Sequence, residues 1–136
     1  KDMLYFDTAQ ISAGKAMKQA GILLDHINLF EYHDVFSIYA ALQLEAVGFA
    51  MKGQGWKLAE DGMIGLKGKI PCATMGGMKA RGFPGGAAGV YQAVEAALQL
   101  RGQAEANQVT NAKTALIQSL GGPASTAVSH ILQTVN

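Results

Sequence analysis

The sequence predicts a single α/β domain of layered helices and strands that ends in an antiparallel pair of strands. A chain of 136 residues suits one domain with its own core. Segments rich in β-formers alternate with segments of helical periodicity, which is typical of layered α/β folds. The last two β segments, Lys113–Leu120 and Ser125–Gln133, flank the turn Gly121-Gly122-Pro123 and therefore favour a hairpin.

The first half of the chain alternates helix, strand and helix. Asp7 and Gln10 have the spacing of a capping box, and the alanines that follow recur at helical spacing up to a stop at Gly21. Ile27–His33 is rich in β-formers and predicts a strand. Asp34–Ala50 is apolar nearly all round, so we expect a helix buried on more than one side.

The second half contains a glycine-rich loop between weaker elements. Residues 51–70 predict an irregular excursion that carries the one tryptophan, Trp56, and Ile70–Thr74 predicts a short strand. The segment GGMKARGFPGGAAG at Gly76–Gly89 follows, and it leads into a helix over Gly86–Leu100. Glycines allow a backbone to approach another group closely, so this loop predicts a helix start delivered to a site.

Composition excludes several classes of function. The chain is 49% apolar and only 15% charged, and its 11 basic and 10 acidic residues leave a net charge of +1, with no basic stripe for nucleic acid. It has no apolar run long enough to span a membrane and no signal-peptide pattern, so we expect a cytoplasmic protein. Cys72 is the single cysteine, which rules out an internal disulfide and zinc spacing, and we expect a small buried apolar side chain there. The chain opens with Lys1 rather than methionine, which is compatible with a fragment of a longer protein and equally with removal of a tag.

The glycine loop has one alternative interpretation from its residues alone. Helix N-termini attract anions, so a phosphate cradle is conceivable in principle. However, the loop lacks the spacing of a nucleotide-binding P-loop, and Lys79 and Arg81 precede its later glycines instead of following them at a helix start. This interpretation is disfavoured.

Three motifs resemble the C-terminal half of thiolase-superfamily proteins. HDVF at His33–Phe36 is similar to the N-E-A-F or H-D-A-F element of that family, and the glycine loop occupies the place of G-G-x-x-x-x-G-H-P-x-G-A-x-G. LGGPAST at Leu120–Thr126 resembles the family's turn between its last two strands. The match is nearest the sterol-carrier-protein thiolases, often named lipid-transfer proteins. It implies one thiolase-like domain over residues 1–136, with a mixed sheet packed by helices.

The resemblance also implies a set of site residues. His33 would donate a hydrogen bond to a thioester or ketone oxygen; the alternative is a histidine that only caps the helix start. The family's loop histidine is replaced by Phe83, and its second cysteine by Ser119. Phenylalanine can neither donate a hydrogen bond nor move a proton, and a serine hydroxyl is a poor proton carrier at neutral pH.

The same resemblance places an acyl-CoA pocket beside the loop. Its expected lining comprises Phe36, Gly76, Gly77, Gly82 and Gly85. Packing in the core is the alternative for Phe36. Coenzyme A or an acyl-CoA is the expected ligand, with no covalently bound cofactor and no metal.

Two functions remain open at this point. The first is the C-terminal domain of a thiolase-like acyl-CoA acyltransferase or carbon–carbon lyase, inactive without the half that carries the nucleophilic cysteine. The second is a non-catalytic acyl-CoA-binding, lipid-binding or scaffold module. The expected partner is the N-terminal half or a small subunit. Since the helices at Asp34–Ala50 and Gly86–Leu100 would form one uncovered layer, we also expect self-association there, as a dimer.

Overall fold

The computed structural model describes residues 2–135 and confirms the α/β class. The helices are α1 (Asp7–Ala20), α2 (Ser37–Val47), α3 (Gly55–Glu60), α4 (Gly77–Arg81) and α5 (Ala88–Leu100), and the strands are β1 (Leu29–Glu31), β2 (Thr114–Gly121) and β3 (Thr126–Gln133). Short 3-10 turns at Leu24–His26, Gly85–Ala87 and Glu105–Asn107 link them.

The sheet is mixed, with strand order β1-β2-β3. Strand β1 pairs with β2 in parallel, from Leu29 opposite Ala115 to Glu31 opposite Ile117. Strands β2 and β3 form the predicted antiparallel hairpin, closed by residues 122–125. The ends of β1 and β2 therefore point to the same edge of the sheet, where connecting segments of α/β proteins usually form binding sites.

The two faces of the sheet are covered by different helices. On one face, Phe30 and Leu116 pack with Leu44 of α2 and Ala13 of α1. On the other face, Leu29, Ala115 and Ile117 pack on Ala96 of α5. The expectation that the helices within Asp34–Ala50 and Gly86–Leu100 share one layer is therefore wrong, because α2 and α5 lie on opposite sides of the sheet.

Two helices start at other residues than predicted. Asp7 is the first residue of α1 rather than its cap, and no side chain among residues 2–135 caps this helix, so the predicted capping box does not form. Helix α2 begins at Ser37 instead of Asp34, since Phe36 is extended and the Asp34 carboxylate accepts the distant Met78 N–H.

Two further predictions need correction in the middle of the chain. The expected strand Ile70–Thr74 is reduced to a single parallel bridge between Cys72 and Phe30. Ala73 has a φ of 45°, which turns the chain away, and the Thr74 N–H donates to the Glu31 side chain instead of a strand. Within residues 51–70, expected to be irregular, the short helix α3 forms. Across residues 2–135, no helix has both the length and the hydropathy needed to cross a membrane.

Candidate functional site

His33 lies just beyond the end of β1, and its backbone is fixed by one side chain of α2. The His33 N–H donates to Gln43 Oε1 at 2.9 Å, and Gln43 Nε2 donates back to the His33 carbonyl at 2.7 Å. Gln43 is fully buried and also donates to the Tyr39 carbonyl at 2.9 Å. This pair of bonds replaces a strand partner, so His33 is held rigidly at the sheet edge.

The His33 imidazole is buried, and burial disfavours its charged form. Its residue is only 4% exposed, and this burial lowers the pKa of His33 below its ordinary value, although the nearby Asp34 carboxylate opposes the shift. The Leu120 N–H donates to Nδ1 at 3.4 Å. A neutral ring that accepts at Nδ1 carries its proton on Nε2, so His33 can act as a hydrogen-bond donor through Nε2.

Phe83 lies directly against this histidine. The two rings make an edge-to-face contact with their centroids 5.5 Å apart. Phe83 is 53% exposed, so it covers the imidazole from the solvent side without joining the core. The structure thus brings together two of the residues that the sequence placed in one site.

The glycine loop is fastened to the same edge by Asp34. Oδ1 of Asp34 accepts the Met78 N–H at 2.8 Å. Oδ2 of Asp34 accepts the main-chain N–H of Lys79 at 3.4 Å. Gly77, with φ of 63°, passes so close that a Cβ atom there would lie 2.3 Å from Asp34 Oδ2. The other predicted loop positions, Gly76, Gly82 and Gly85, also have positive φ.

Ser119 lies on β2 beside the start of α5. A Cβ atom on Gly89 would lie 3.4 Å from Ser119 Cβ and 3.6 Å from its Oγ, so the strand and the helix approach closely at this point. The next residue, Leu120, is the one whose N–H meets His33. Ser119 and His33 therefore occupy neighbouring strands at the same edge of the sheet.

A side chain of α5 separates those two strands. Gln92 Nε2 donates to the Tyr32 carbonyl at 2.7 Å and to the Gln118 carbonyl at 3.1 Å. The parallel pairing of β1 and β2 ends one residue earlier, at Glu31 and Ile117. Gln92 is fully buried, and its Oε1 has no protein partner among residues 2–135. The amide thus lies as a wedge between the two strands beside His33.

Buried carboxyl groups underlie the glycine loop. Glu31 Oε1 accepts the Thr74 N–H at 3.0 Å and the Thr74 hydroxyl at 2.6 Å. Glu95 of α5 is buried too, and its Oε1 lies 3.2 Å from Arg81 Nη1 in an ion pair. The first contact ties Thr74, just before the loop, to the sheet, and the second ties the middle of the loop to α5.

These carboxyl groups influence each other's protonation. Burial raises the pKa of Glu31 to about 7, against the hydrogen bonds from Thr74, and the neighbouring Glu95 contributes to the rise. Burial also raises the pKa of Glu95, while Arg81 opposes that shift. A protonated Glu31 can donate to Glu95, whose Oε2 has no other partner in the described part of the chain. Two like charges in one dry site favour this shared proton.

The residues around the site form an apolar outer surface. Phe36 is exposed and makes an edge-to-face contact with Tyr39 at 5.2 Å between centroids, so it does not belong to the core. On α5, Val90, Tyr91 and Val94 are also exposed. The Arg81 guanidinium lies over the Tyr91 ring, 5.3 Å from its centroid. The exposed face of α5 therefore carries three large apolar side chains, one of them covered in part by Arg81.

Sequence reasoning missed the residues that hold the site together. Asp34 was part of a quoted motif but was assigned no role, and Glu31, Gln43, Gln92 and Glu95 were not singled out. Polar residues inside apolar helices were the available signal. Gln43 and Gln92 each interrupt an apolar helix, and buried side chains of this kind must find hydrogen-bond partners.

A cavity of about 960 Å³ lies away from this site, at the opposite end of the sheet, where Asn28 precedes β1. Neither His33 nor Phe83 lines it.

Comparison with known proteins identifies the family. Residues 1–134 match the model described as thiolase C-terminal domain-like. The acetyl-CoA acetyltransferase of Methanothermobacter thermautotrophicus is 42% identical over 131 residues, which cover 96% of this chain and 34% of that protein. Human sterol carrier protein 2 is 38% identical over 119 residues, covering 88% of this chain and 22% of that protein.

A solved structure shows the same fold. A chain of the Ltp2-ChsH2(DUF35) aldolase superposes with a TM-score of 0.85 at 24% identity, covering 96% of this chain and 32% of that chain. The α/β fold with its terminal hairpin is thus that of a thiolase C-terminal domain. The protein belongs to the thiolase C-terminal domain-like family, and the chain spans about a third or less of the length of these relatives.

Proposed function

We propose that this chain is the C-terminal half of a thiolase-like acyl-CoA acyltransferase or carbon–carbon lyase. The observation that carries the proposal is the buried, clamped His33, which lies against Phe83 and accepts the Leu120 N–H at Nδ1. Its Nε2 is then left for a ligand, which in our proposal enters a crevice between Phe83 and Ser119. In this scheme His33 donates to the thioester or ketone oxygen as negative charge develops on it. The loop glycines Gly76, Gly77, Gly82 and Gly85 pack against the pantetheine arm of coenzyme A, and Phe36 and Phe83 border the acyl group.

The replaced residues favour cleavage over ordinary Claisen condensation. Phe83 removes one donor and Ser119 one proton carrier, and the loss of a single oxyanion donor typically costs about 10²–10³ in rate. Retro-aldol cleavage of a β-hydroxyacyl-CoA needs a base for the hydroxyl proton and a donor at the thioester oxygen of the enolate that leaves. His33 is suited to the second role, and the base must come from the missing part of the parent.

The printed names of the relatives support a coenzyme A thioester as the ligand. One relative is an acetyl-CoA acetyltransferase, and another is the benzoylsuccinyl-CoA thiolase subunit BbsB of Thauera aromatica, 33% identical over 80% of this chain and 28% of that protein. The partner in our proposal is an N-terminal half or a small subunit that covers the outer face of α5. A cytoplasmic setting belongs to the same proposal, because the one cysteine, Cys72, is free and buried.

A non-catalytic acyl-CoA-binding module is the second candidate. It is favoured by one observation, namely that Phe83 and Ser119 both lack acid–base capacity at neutral pH. Such a module would bind the thioester at the same crevice without turning it over.

Titration with coenzyme A and acetoacetyl-CoA, followed by NMR of the isolated chain, tests both candidates. We expect shifts at the loop glycines and at the His33 ring, and no thiolysis. Adding an N-terminal half and a β-hydroxyacyl-CoA should then produce retro-aldol cleavage that His33→Ala reduces at least about 10²-fold. Binding without turnover under the same conditions selects the non-catalytic module. The absence of any binding at the loop refutes both candidates.

A further inference from the structure

The cavity at the opposite end of the sheet has no part in the proposed chemistry. It opens where β1 and β2 begin, beside Asn28, whose Oδ1 accepts the Thr114 N–H at 2.8 Å. His33 and Ser119 lie at the other ends of these two strands. A volume of about 960 Å³ falls in the range of small-molecule sites in proteins.

The walls of the cavity are apolar and come from separate segments of the chain. Ile27 and Ile70 are buried at its base, while Leu24, Leu58 and Met63 are half-buried around it. Large apolar side chains that are neither buried nor fully exposed lose contacts and remain partly hydrated. The cavity can therefore gain free energy by taking up an apolar group.

The rim of the cavity carries a localised positive charge. Lys67 and Lys69 lie on the segment that borders it, and both are exposed. Among residues 2–135 neither lysine forms an ion pair with an acidic side chain. Asp25 is the one acidic residue of the lining, and its Oδ1 lies 3.8 Å from Nε2 of His26. An apolar cavity with unpaired ammonium groups at its mouth matches a molecule with an apolar tail and an anionic head.

We propose that this cavity, which we call the lysine-rimmed cavity, binds a single-chain amphiphile with a carboxylate head, such as a fatty acid. The chain lies along Leu24, Leu58 and Met63, and the carboxylate reaches Lys67 and Lys69. The two unpaired lysines beside an apolar cavity of this size favour this ligand over a second copy or a protein segment, since those would need a broad face. The inference is independent of the proposed function, because it involves neither His33 nor the glycine loop.

The one tryptophan of the chain provides a direct assay. Trp56 lies on α3, two residues before Leu58. We expect cis-parinaric acid, a fluorescent fatty acid, to bind with saturation and to quench Trp56 by energy transfer. Dodecanoate should displace it, whereas dodecylamine, which carries the opposite charge, and coenzyme A should not. Absence of saturable binding, or equal displacement by dodecylamine, overturns the proposal.

Charge-reversal variants locate the head group. Lys67→Glu/Lys69→Glu should weaken the binding of cis-parinaric acid about tenfold or more, since two attractions become repulsions. The control Lys15→Glu/Arg101→Glu makes the same change in net charge at remote exposed positions and should leave binding unchanged. If both double variants weaken binding equally, or if Lys67→Glu/Lys69→Glu does not weaken it, the ligand binds elsewhere and the proposed site is refuted. Lys67→Ala/Lys69→Ala should give a smaller loss in the same direction.

Sedimentation separates this ligand from a second copy of the chain. The bound amphiphile should leave the oligomeric state unchanged, and its dissociation constant should not depend on protein concentration. If cis-parinaric acid binds only as the chain dissociates, the cavity is occupied by a second copy and the proposal is wrong.

Discussion

The Asp34 carboxylate lies so close to Gly77 that no side chain fits at position 77 without rearrangement. Gly77 has a φ of 63°, and a Cβ atom there would lie 2.3 Å from Asp34 Oδ2. The same carboxylate accepts the N–H of Met78, so it cannot move aside without losing that bond. The contact of the Asp34 carboxylate with the main chain of Gly77 and Met78 thus fixes the glycine loop relative to His33.

Gly77→Ala should therefore destabilise the domain strongly. We expect the free energy of unfolding to fall by about 2–4 kcal/mol, from the left-handed backbone and the steric contact together. Gly86→Ala, in the same loop, is the matched control, because Gly86 has no positive φ and no atom within 4 Å of the added Cβ. Chemical denaturation measures both. A Gly77→Ala cost no larger than that of the control would contradict the close fit.

Glu31→Gln should change how stability depends on pH. The folded pKa of Glu31, about 7, lies above the unfolded value of 4.5, so the folded state holds this proton more tightly. Its contribution to stability is complete below pH 4.5 and is lost as pH rises through 7. Relative to Glu31→Gln, which keeps an oxygen for Thr74, the native protein should lose about 3 kcal/mol over that interval.

Unfolding curves from pH 4.5 to 8 measure this difference. The same substitution at the exposed Glu60 serves as the control and should give a curve parallel to that of the native protein. Parallel curves for Glu31→Gln as well would show that Glu31 is ionised in the folded state throughout.

The His33 ring should titrate below an ordinary histidine. Burial lowers its pKa, and the Asp34 carboxylate partly offsets this effect. Asp34→Asn should therefore lower the pKa of His33 further, whereas Asp25→Asn should not change it. NMR titration of the three histidines measures the effect, and nitrogen shifts should show the proton on Nε2. A rise in the pKa on Asp34→Asn, or a proton on Nδ1, would contradict the assigned geometry.

The exposed face of α5 should mediate association of the isolated chain. Val90, Tyr91 and Val94 form an exposed apolar stripe on α5, and such stripes tend to be buried between molecules. We expect a dimer at tens of micromolar that Val94→Glu converts to monomer in sedimentation. Val128→Glu on β3 is the control, because Val128 is 56% exposed and Val94 is 53% exposed. Dissociation by Val128→Glu alone would place the interface on the strand.

Periodicity and turn chemistry predicted the fold well where local and global preferences agree. The hairpin β2-β3, the stop of α1 at Gly21 and the helix ending at Leu100 all follow from short-range patterns. The predicted strand over residues 70–74 was wrong for the opposite reason. The Glu31 carboxylate, far away in the sequence, takes the Thr74 N–H, and no local pattern contains that information. The predicted capping box at Asp7 fails because α1 begins one residue earlier than a cap at Asp7 would allow.

The candidate site was predictable only in part. The motifs placed His33, Phe83 and Ser119 at one edge of the sheet, and His33 and Phe83 do meet there. The supporting residues were not visible, because Gln43 and Gln92 act through their amides on distant carbonyl groups. Which buried amide meets which carbonyl is decided by helix packing and becomes apparent only in three dimensions.

Gln92 connects the exposed helix α5 to the segment that carries His33. The same helix that carries the apolar stripe at Val90 and Val94 inserts this amide between the Tyr32 and Gln118 carbonyls. A molecule bound to this stripe that moved α5 along its axis would displace the Gln92 amide and change the spacing between the chain segments of Tyr32 and Gln118. The hydrogen bond from the Leu120 N–H to the His33 imidazole would change as well. Binding of a partner to the exposed face of α5 would therefore affect His33 without contacting the ligand that His33 binds.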